Sequence, residues 1–234
     1  MERKRLLLIG GSALILVGVT ALTISLFSCG QKVMNFIPQE EVRDKLFTFG
    51  QENGFYIEST YKGYNEENGE EYFVDYQYGM KGNIFYYTFT DYTFVAYFGY
   101  RLNEDNSMDF FILNGDGLPQ VVAHYDENSV EYFRTNFNSG VNRLIYEDEG
   151  YRYEALGNYR FLDRRTTKCR YKAYDAERGS ISRTAYIDKE LGIALYYKHE
   201  AANPELKSLF KYMEVKKFVT VDVEVPIPLP KNNW

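Results

Sequence analysis

The sequence has little cysteine, histidine and tryptophan, and it has no excess of positive charge. Its 234 residues include two Cys, two His and one Trp, and 27 Lys plus Arg stand against 33 Asp plus Glu. Two cysteines exclude a disulfide-dense scaffold and a zinc site built on four Cys. A net charge of −6 argues against nucleic acid as a partner, because binding to phosphates requires a basic surface.

Aromatic residues are abundant instead. The chain has 23 Tyr and 17 Phe, and aromatics make up 18% of it. Such residues favour β-strands over helices. Hydrophobic residues at 45% and charged residues at 26% are an ordinary globular balance, which excludes wholesale disorder. The composition therefore predicts a mainly β domain.

The N-terminus carries a targeting signal. A short, mainly basic segment at residues 2–5 is followed by an uncharged apolar run at residues 6–27. That run is longer than the ~7–15 residues of an ordinary signal-peptide core, and it is sufficient to span a bilayer of about 30 Å. From the residues alone, two alternatives thus remain open: a cleaved signal peptide and an uncleaved anchor. Both place the domain outside, because the basic flank stays in the cytoplasm.

The end of this run resembles the bacterial lipobox, with Leu26 at −3 and Ser28 at −1 before Cys29. Phe27 departs from that pattern, where a smaller residue is usual. The resemblance implies that the signal peptide is cut before Cys29, that the Cys29 sulfur carries a lipid, and that the mature chain is anchored at the extracytoplasmic face of the membrane. Cys169 then has no disulfide partner and is predicted to be a small buried apolar residue.

The predicted parts are a signal peptide at 1–28, a tether at 29–37, one domain at 38–230 and a tail at 231–234. A first helix is predicted at 38–49, because proline and two glutamates suit a first helical turn, and Gly50 or Gly54 ends it. A second helix is predicted at 126–137, with Asp126 as its N-cap and Gly140 just beyond its end.

Alternating and aromatic runs predict strands, and glycine-bearing or acidic segments between them predict turns. The predicted strands are 55–64, 72–78, 84–90, 93–101, 166–174, 181–187, 193–198 and 219–225. Prolines at 226, 228 and 230 end the last of them, because proline lacks the N–H that a β-ladder needs.

The run Tyr186-Ile187-Asp188-Lys189-Glu190-Leu191-Gly192-Ile193-Ala194-Leu195 resembles a hairpin motif of the lipoprotein-localisation carrier superfamily, the LolA/LolB-like proteins. Two further segments resemble its neighbouring strands: Gly157 to Arg160 followed by Cys169 to Tyr171, and the C-terminal Pro226-Ile227-Pro228. The sequence departs from the family at Leu191, where Thr is common, and at Tyr186, where Trp is usual.

This resemblance implies a mainly β (α+β) fold, in which a curved antiparallel half-barrel sheet is covered by about two helices. Its inner surface would be apolar and accept acyl chains, with Tyr76, Tyr86 and Phe94 as candidate lining residues. The strands are apolar or aromatic on both faces, so they must be covered twice or must cover a ligand. A closed aromatic core and a ligand-holding face both remain open at this point, as does the choice of the inward face.

Catalytic, metal and cofactor sites are not predicted. His124 and His199 are isolated in the sequence, without a nucleophile or acid nearby, and are expected to be satisfied or solvated. Residues 114–117 are interpreted as a turn, because no lysine or helix start follows. The alternating Asp105, Ser107 and Asp109 lack the glycine and distal glutamate of a calcium loop and are interpreted as a solvated acidic turn. Glutamates 66, 67, 70 and 71 are interpreted as a charged hairpin tip.

The sequence therefore predicts a non-enzymatic lipoprotein, lipid-anchored at the extracytoplasmic face of the cell membrane, that binds a lipid or another hydrophobic ligand. Two alternatives remain open. One is a structural or regulatory envelope protein that docks another protein through its sheet. The other is a surface protein that binds glycans through exposed aromatic residues.

Overall fold

The structure is a computed structural model that describes residues 32–65, 68–91, 95–114, 116–146, 150–175, 179–201 and 211–220. The chain divides into two units, Met1–Val33 and Met34–Trp234, and the elements below belong to the second. The helices are α1 (Gln39–Glu52) and α2 (Ser129–Gly140), and a 3₁₀ turn (Val141–Leu144) follows α2. The strands are β1 (Phe55–Tyr64), β2 (Glu71–Lys81), β3 (Ile84–Thr90), β4 (Val95–Leu102), β5 (Met108–Leu113), β6 (Pro119–Tyr125), β7 (Glu154–Phe161), β8 (Arg164–Asp175), β9 (Gly179–Asp188), β10 (Ala194–Ala201) and β11 (Lys211–Val219).

These strands form one antiparallel sheet. Its order is β6-β5-β4-β3-β2-β1-β11-β10-β9-β8-β7, so two meanders meet where β1 pairs with β11. The register of that central pair places Tyr61 opposite Met213 and shifts at Glu58/Ser59, a bulge that bends a strand. The predicted fold class, a mainly β protein with an antiparallel sheet and two helices, is confirmed.

Helix α1 forms where the sequence predicts it. Pro38 precedes its first residue with φ −53°, and two glutamates lie in the first turn, where acidic side chains complement the helix dipole. Val42 and Leu46 are buried on one face of the helix. Gly54 follows the helix with φ +73°, a conformation that favours glycine, and turns the chain into β1.

Helix α2 begins later than predicted. Its first residue is Ser129 after Asn128, so the prediction of Asp126 as N-cap is wrong. Asp126 instead lies 2.9 Å from Nε2 of His124. Gly140 is the last residue of the helix rather than the residue after it. A Cβ there would stand 2.7 Å from the Phe85 ring, so glycine lets the helix end approach β3 closely.

The two faces of the sheet differ in what covers them. On the inner face, defined as the face on which α1 and α2 pack, the Phe137 ring lies 5.1 Å from that of Phe47 and 5.0 Å from that of Phe85. This face carries the main hydrophobic core. The opposite, outer face carries a smaller buried cluster. That outer cluster consists of Tyr56, Tyr86, Tyr97 and Phe111.

The strands β5, β6 and β11 were not predicted from the sequence. Asp109 belongs to β5 and is buried, and its Oδ2 accepts hydrogen bonds from Nε and Nη2 of Arg101 at 3.1 and 2.6 Å. The interpretation of Asp109 as part of a solvated turn is therefore wrong. Asp105 and Ser107 do form a turn, because the backbone N–H and the hydroxyl of Ser107 both donate to Asp105. The predicted strand at 219–225 and the prolines after it lie almost wholly outside the described residues.

The predicted turn between β9 and β10 is confirmed. Asp188 is buried, and its Oδ1 accepts hydrogen bonds from the backbone N–H groups of Glu190 and Leu191 at 3.0 and 2.8 Å. Arg164 of β8 donates from Nε to Asp188 at 2.5 Å. Gly192 closes the turn with φ +77°, and its N–H donates to the carbonyl of Asp188 at 3.0 Å. One carboxylate thus holds this hairpin to the neighbouring strand.

Candidate ligand site on the inner face of the sheet

Half-buried aromatic rings form a continuous line across β2, β3, β4 and β5 on the inner face. Ring centroids are 6.2 Å apart for Tyr76 and Phe89, 6.1 Å for Phe89 and Phe98, and 6.2 Å for Phe98 and Phe110. We call these four residues the aromatic stripe. None of the four is fully covered, so each keeps part of its surface open to solvent. Contiguous apolar surface of this kind marks a binding groove more often than a scattered exposed side chain does.

The stripe continues the hydrophobic core beyond the part that the helices cover. Gly140 of α2 lies against Phe85 and Tyr87 of β3. Phe85 is fully buried, whereas Tyr87 is half-buried, and its ring stacks on that of Phe98 at 5.1 Å. The inner face is therefore closed under the helix end and open along the stripe.

A small cavity of about 80 Å³ lies beside Tyr61 of β1. Residues of β1, β10, β11 and the segment after α2 line it: Tyr61, Asn142, Arg143, Ile145, Tyr146, Tyr197, His199 and Lys211. We call it the Arg143 pocket. The guanidinium carbon of Arg143 stands 4.7 Å from the centroid of the Tyr61 ring. Tyr61 pairs with Val74 of β2, and Tyr76 lies on the same face two residues further along that strand. Burial acts against the charge of Arg143, but its interactions with Tyr76 and Tyr61 prevail and raise its pKa.

The floor of the Arg143 pocket is a buried polar network. The Tyr146 hydroxyl donates to the Tyr153 hydroxyl at 3.0 Å and lies 3.1 Å from Nε2 of His199. A hydroxyl has one proton, and Tyr146 donates it in the hydrogen bond to Tyr153. In the second hydrogen bond the Nε2–H of His199 is therefore the donor, and the Tyr146 oxygen accepts. Burial is the main cause that raises the pKa of Tyr146, which keeps its hydroxyl neutral near pH 7.

The Arg143 pocket is positively charged and small. Arg143 and Lys211 belong to its lining, and none of the described lining residues is acidic. A water molecule occupies about 30 Å³ of liquid. The cavity therefore has room for a compact polar group such as a carboxylate or a phosphate, whereas an acyl chain requires the open stripe.

The reactive side chains near the inner face are protonated by burial. Burial raises the pKa of the Cys169 thiol to about 12, which leaves it protonated and unreactive at neutral pH, and its predicted burial is confirmed. In the part of the chain that the structure describes, no group of three His, Cys, Asp or Glu side chains could hold a metal ion. Burial also opposes ionisation of Tyr61 and Tyr146 at the Arg143 pocket and raises the pKa of both, so they are protonated at neutral pH and do not act as bases there.

His124 lies on the outer side of β6, in an ion-pair chain. Its Nδ1 is 2.7 Å from Asp109 and its Nε2 is 2.9 Å from Asp126. The hydrogen bond to Asp109 is the largest of the causes that raise the pKa of His124. Both ring nitrogens thus face carboxylates, as expected of a histidine satisfied by structural partners.

Two of the three residues predicted to line a cavity, Tyr76 and Tyr86, lie on opposite faces of the sheet. Tyr76 belongs to the aromatic stripe, but Tyr86 lies on the outer face, fully buried in the outer cluster. Register explains the difference, because Tyr86 pairs with Gly79, and Gly79 and Tyr76 point to opposite faces of β2. Phe94 and Cys29 lie outside the described residues.

Sequence reasoning missed Phe89, Phe98 and Phe110 of the stripe and Arg143 of the pocket. Phe98 follows Tyr97 and Phe110 precedes Phe111, so at these two positions a period of two does not select the inward face. Arg143 follows the predicted end of a helix, and nothing in its local sequence distinguishes it from a solvated arginine. Its only local signal is a position shortly after Gly140.

No protein-family model and no curated protein matches the chain. Solved structures resemble it distantly. The Pseudomonas aeruginosa MucA/MucB complex has 12% identity and a TM-score of 0.37, and the match covers 82% of this chain and 61% of that chain. This chain thus spans about three fifths of the length of that MucA/MucB match.

Two further structures match over nearly their whole length. LprF from Mycobacterium bovis has 10% identity and a TM-score of 0.33, with 84% of this chain and 99% of that chain covered. The lipoprotein LppX from Mycobacterium tuberculosis has 14% identity and a TM-score of 0.27, with 79% and 97% covered.

Within the described residues, none of the helices has the length and apolar character needed to cross a membrane.

Proposed function

We propose that this protein is an extracytoplasmic lipoprotein that binds a lipid or another hydrophobic ligand on the inner face of its sheet, without catalysing a reaction. The observation that carries the proposal is the aromatic stripe. Its four rings are contiguous, lie at the open end of the core and remain half-buried. A closed core would bury such rings completely, and covering them with an acyl chain would gain about 25 cal/mol per Å² of apolar surface.

The location is part of the same proposal. The basic residues 2–5, the uncharged run after them and the pattern around Cys29 support export and acylation of Cys29. A chain anchored in this way would hold the stripe close to the membrane surface, where amphiphilic molecules are concentrated.

The non-catalytic role is supported by the side chains at the inner face. Burial raises the pKa of Tyr146 and of Cys169, so both are protonated at neutral pH. Neither group then serves as a base or nucleophile. Binding requires only the apolar surface and does not depend on a reactive group.

Saturable binding of a fluorescent fatty acid tests the proposal. The probe is added to the chain beginning at Gly30, which retains every helix and strand described here. Wild-type protein is expected to bind it saturably, and Phe98→Ser should weaken binding because it removes the middle of the stripe. Thermal melting of the variant checks that it remains folded.

Phe73→Ser is the matched control. Phe73 lies on the outer face of β2 and is 37% exposed, so its removal should leave binding unchanged. Absence of saturable binding by the wild-type protein would contradict the proposal and favour docking of another envelope protein. Equal losses in Phe98→Ser and Phe73→Ser would show that binding does not take place on the inner face.

A further inference from the structure

We infer that the ligand of the inner face is an anionic amphiphile, whose carboxylate or phosphate group binds in the Arg143 pocket while its hydrocarbon chain lies along the aromatic stripe. This inference rests on the proposed function and specifies its ligand class. The geometry that points to it is the position of Tyr76, which belongs to the stripe and lies diagonally from Tyr61 of the pocket lining on the same face of the sheet.

The first step of the argument is the continuity of the two surfaces. The Tyr76 ring lies 6.2 Å from Phe89 along the stripe and stacks at 5.8 Å on Tyr78, deeper in the core. On the neighbouring strand β1, Tyr61 lies diagonally from Tyr76 on the same face, and the guanidinium of Arg143 lies over the Tyr61 ring. An apolar surface and a cationic group therefore lie side by side on one face of the sheet, as an amphiphile requires.

The second step is the charge of the Arg143 pocket. A cation in a partly buried site normally pairs with a carboxylate, as Arg101 does with Asp109 and Arg164 with Asp188. The Arg143 guanidinium lies over a tyrosine ring instead, and no acidic residue is present among the described residues that line its pocket. This described lining thus carries a positive charge that a bound anion would balance.

The third step is the supply of hydrogen-bond donors. Asn142 and Lys211 belong to the same lining as Arg143, and amide, ammonium and guanidinium groups all donate. Arginine also matches the planar fork of a carboxylate or the oxygens of a phosphate. The cavity volume of about 80 Å³ is sufficient for such a head group. The chemistry of the lining therefore favours the polar end of the molecule.

The test compares two photoreactive lipids that differ only in the head group. Membrane vesicles of phosphatidylcholine, which is zwitterionic and has no net charge, contain the full-length chain and are exposed to a diazirine-bearing lysophosphatidic acid or to the corresponding monoacylglycerol. We expect cross-linking of the phosphate lipid to exceed that of the neutral lipid by about tenfold, as a charge-assisted hydrogen bond would give. Arg143→Gln should abolish the preference and leave labelling by the neutral lipid unchanged, which also shows that the variant is folded.

Controls separate the possible outcomes. Arg160→Gln, at an exposed arginine of β7, should keep the preference, whereas Lys211→Gln should reduce it. Equal labelling by the two lipids, or loss of both labels in Arg143→Gln, would overturn the inference while leaving the proposed function standing. Complete competition by millimolar inorganic phosphate would show a site for the free anion and would also overturn it. Absence of labelling by either lipid would contradict the proposed function itself.

Discussion

The ring of Tyr86 lies directly against Gly79 of the neighbouring strand. A Cβ at Gly79 would stand 2.2 Å from Cε1 of Tyr86 and 2.6 Å from its hydroxyl oxygen. On the same face, the ring of Phe111 lies against Gly99 in the same way, and a Cβ at Gly99 would stand 2.2 Å from Cε2 of Phe111. Because these two glycines have no side chain, the large rings lie flat on the outer face. The rings of the outer cluster are thus buried by contact with neighbouring strands of the same sheet.

Gly79→Ala should destabilise the protein by about 1–3 kcal/mol, the usual range for an extra methyl group in a packed core. Tyr86 is fully buried and has no room to move away. Urea unfolding measures the change. Gly63→Ala is the matched control, because the atom nearest to its Cβ is the hydroxyl oxygen of the half-buried Tyr72, at 2.8 Å. Equal losses in the two variants would contradict the claim that Tyr86 is locked in place.

Gly192→Val should destabilise the domain for two reasons. Its φ of +77° is unfavourable for a β-branched residue, at about 1–3 kcal/mol, and its Cβ would stand 2.8 Å from Val42 of α1. Gly69→Val separates the two effects, since Gly69 has φ +67° and nothing within 4 Å of its Cβ. Thermal melting should show a larger loss for Gly192→Val. An unchanged melting temperature in that variant would mean that the turn is not built as described.

The ion pair of His124 and Asp109 should make stability depend on pH. The folded-state pKa of His124 is raised above its usual value of 6.5, so its stabilisation is complete below that pH and is lost as the pH rises through the folded-state pKa. Burial opposes the charge of Asp109, but hydrogen bonds from His124 and Arg101 prevail and lower its pKa below the usual 3.8. The stabilisation by the Asp109 carboxylate is present above pH 3.8 and is lost as the pH falls through the folded-state pKa of Asp109.

Urea midpoints measured between pH 5 and pH 9, in steps of about half a unit, check this dependence. The midpoint of the wild-type protein should fall with rising pH on the alkaline side of this range. His124→Gln should have a lower midpoint at pH 5 and a smaller fall above it. If the urea midpoint of His124→Gln fell by the same amount with rising pH, groups other than His124 would cause the pH dependence.

Cys29→Ala should abolish metabolic labelling of the protein by an alkyne fatty acid and leave the precursor uncut. The thioether-linked lipid requires the Cys29 sulfur, and alanine offers no nucleophile. Gel fluorescence and the mobility of the chain measure both effects. Cys169→Ala serves as control and should retain labelling, because the Cys169 thiol is buried and protonated. Labelling that persists in Cys29→Ala would contradict acylation at this residue.

The fold was predictable where all features of the local sequence indicate the same element and the same boundaries. Helix α1 and strands β1 and β3 begin and end at or near the predicted residues, since proline, paired glutamates and aromatic runs indicate the same boundaries there. The predictions failed where polar residues occupy strands. Asp109 sits in β5 because Arg101 and His124 pair with it across two neighbouring strands, a contact that no local pattern reveals.

The candidate site was predictable only in part. Aromatic strands with apolar residues on both faces indicate two covered surfaces, and the structure has both. The face on which each ring lies depends on pairing register, which places Tyr86 over Gly79 and away from Tyr76. The position of Arg143 depends on tertiary contacts between the segment after α2 and strands β1 and β2.

The most direct test of the central claim is to map where a lipid lies on the protein. A diazirine-bearing fatty acid is cross-linked to the full-length chain in membrane vesicles, and labelled peptides are located by mass spectrometry. We predict labelling of Phe89, Phe98 and Phe110, and loss of that labelling in Phe98→Ser but not in Phe73→Ser. Labelling confined to the outer face, or none apart from the anchor, would contradict the claim that the inner face binds a hydrophobic ligand.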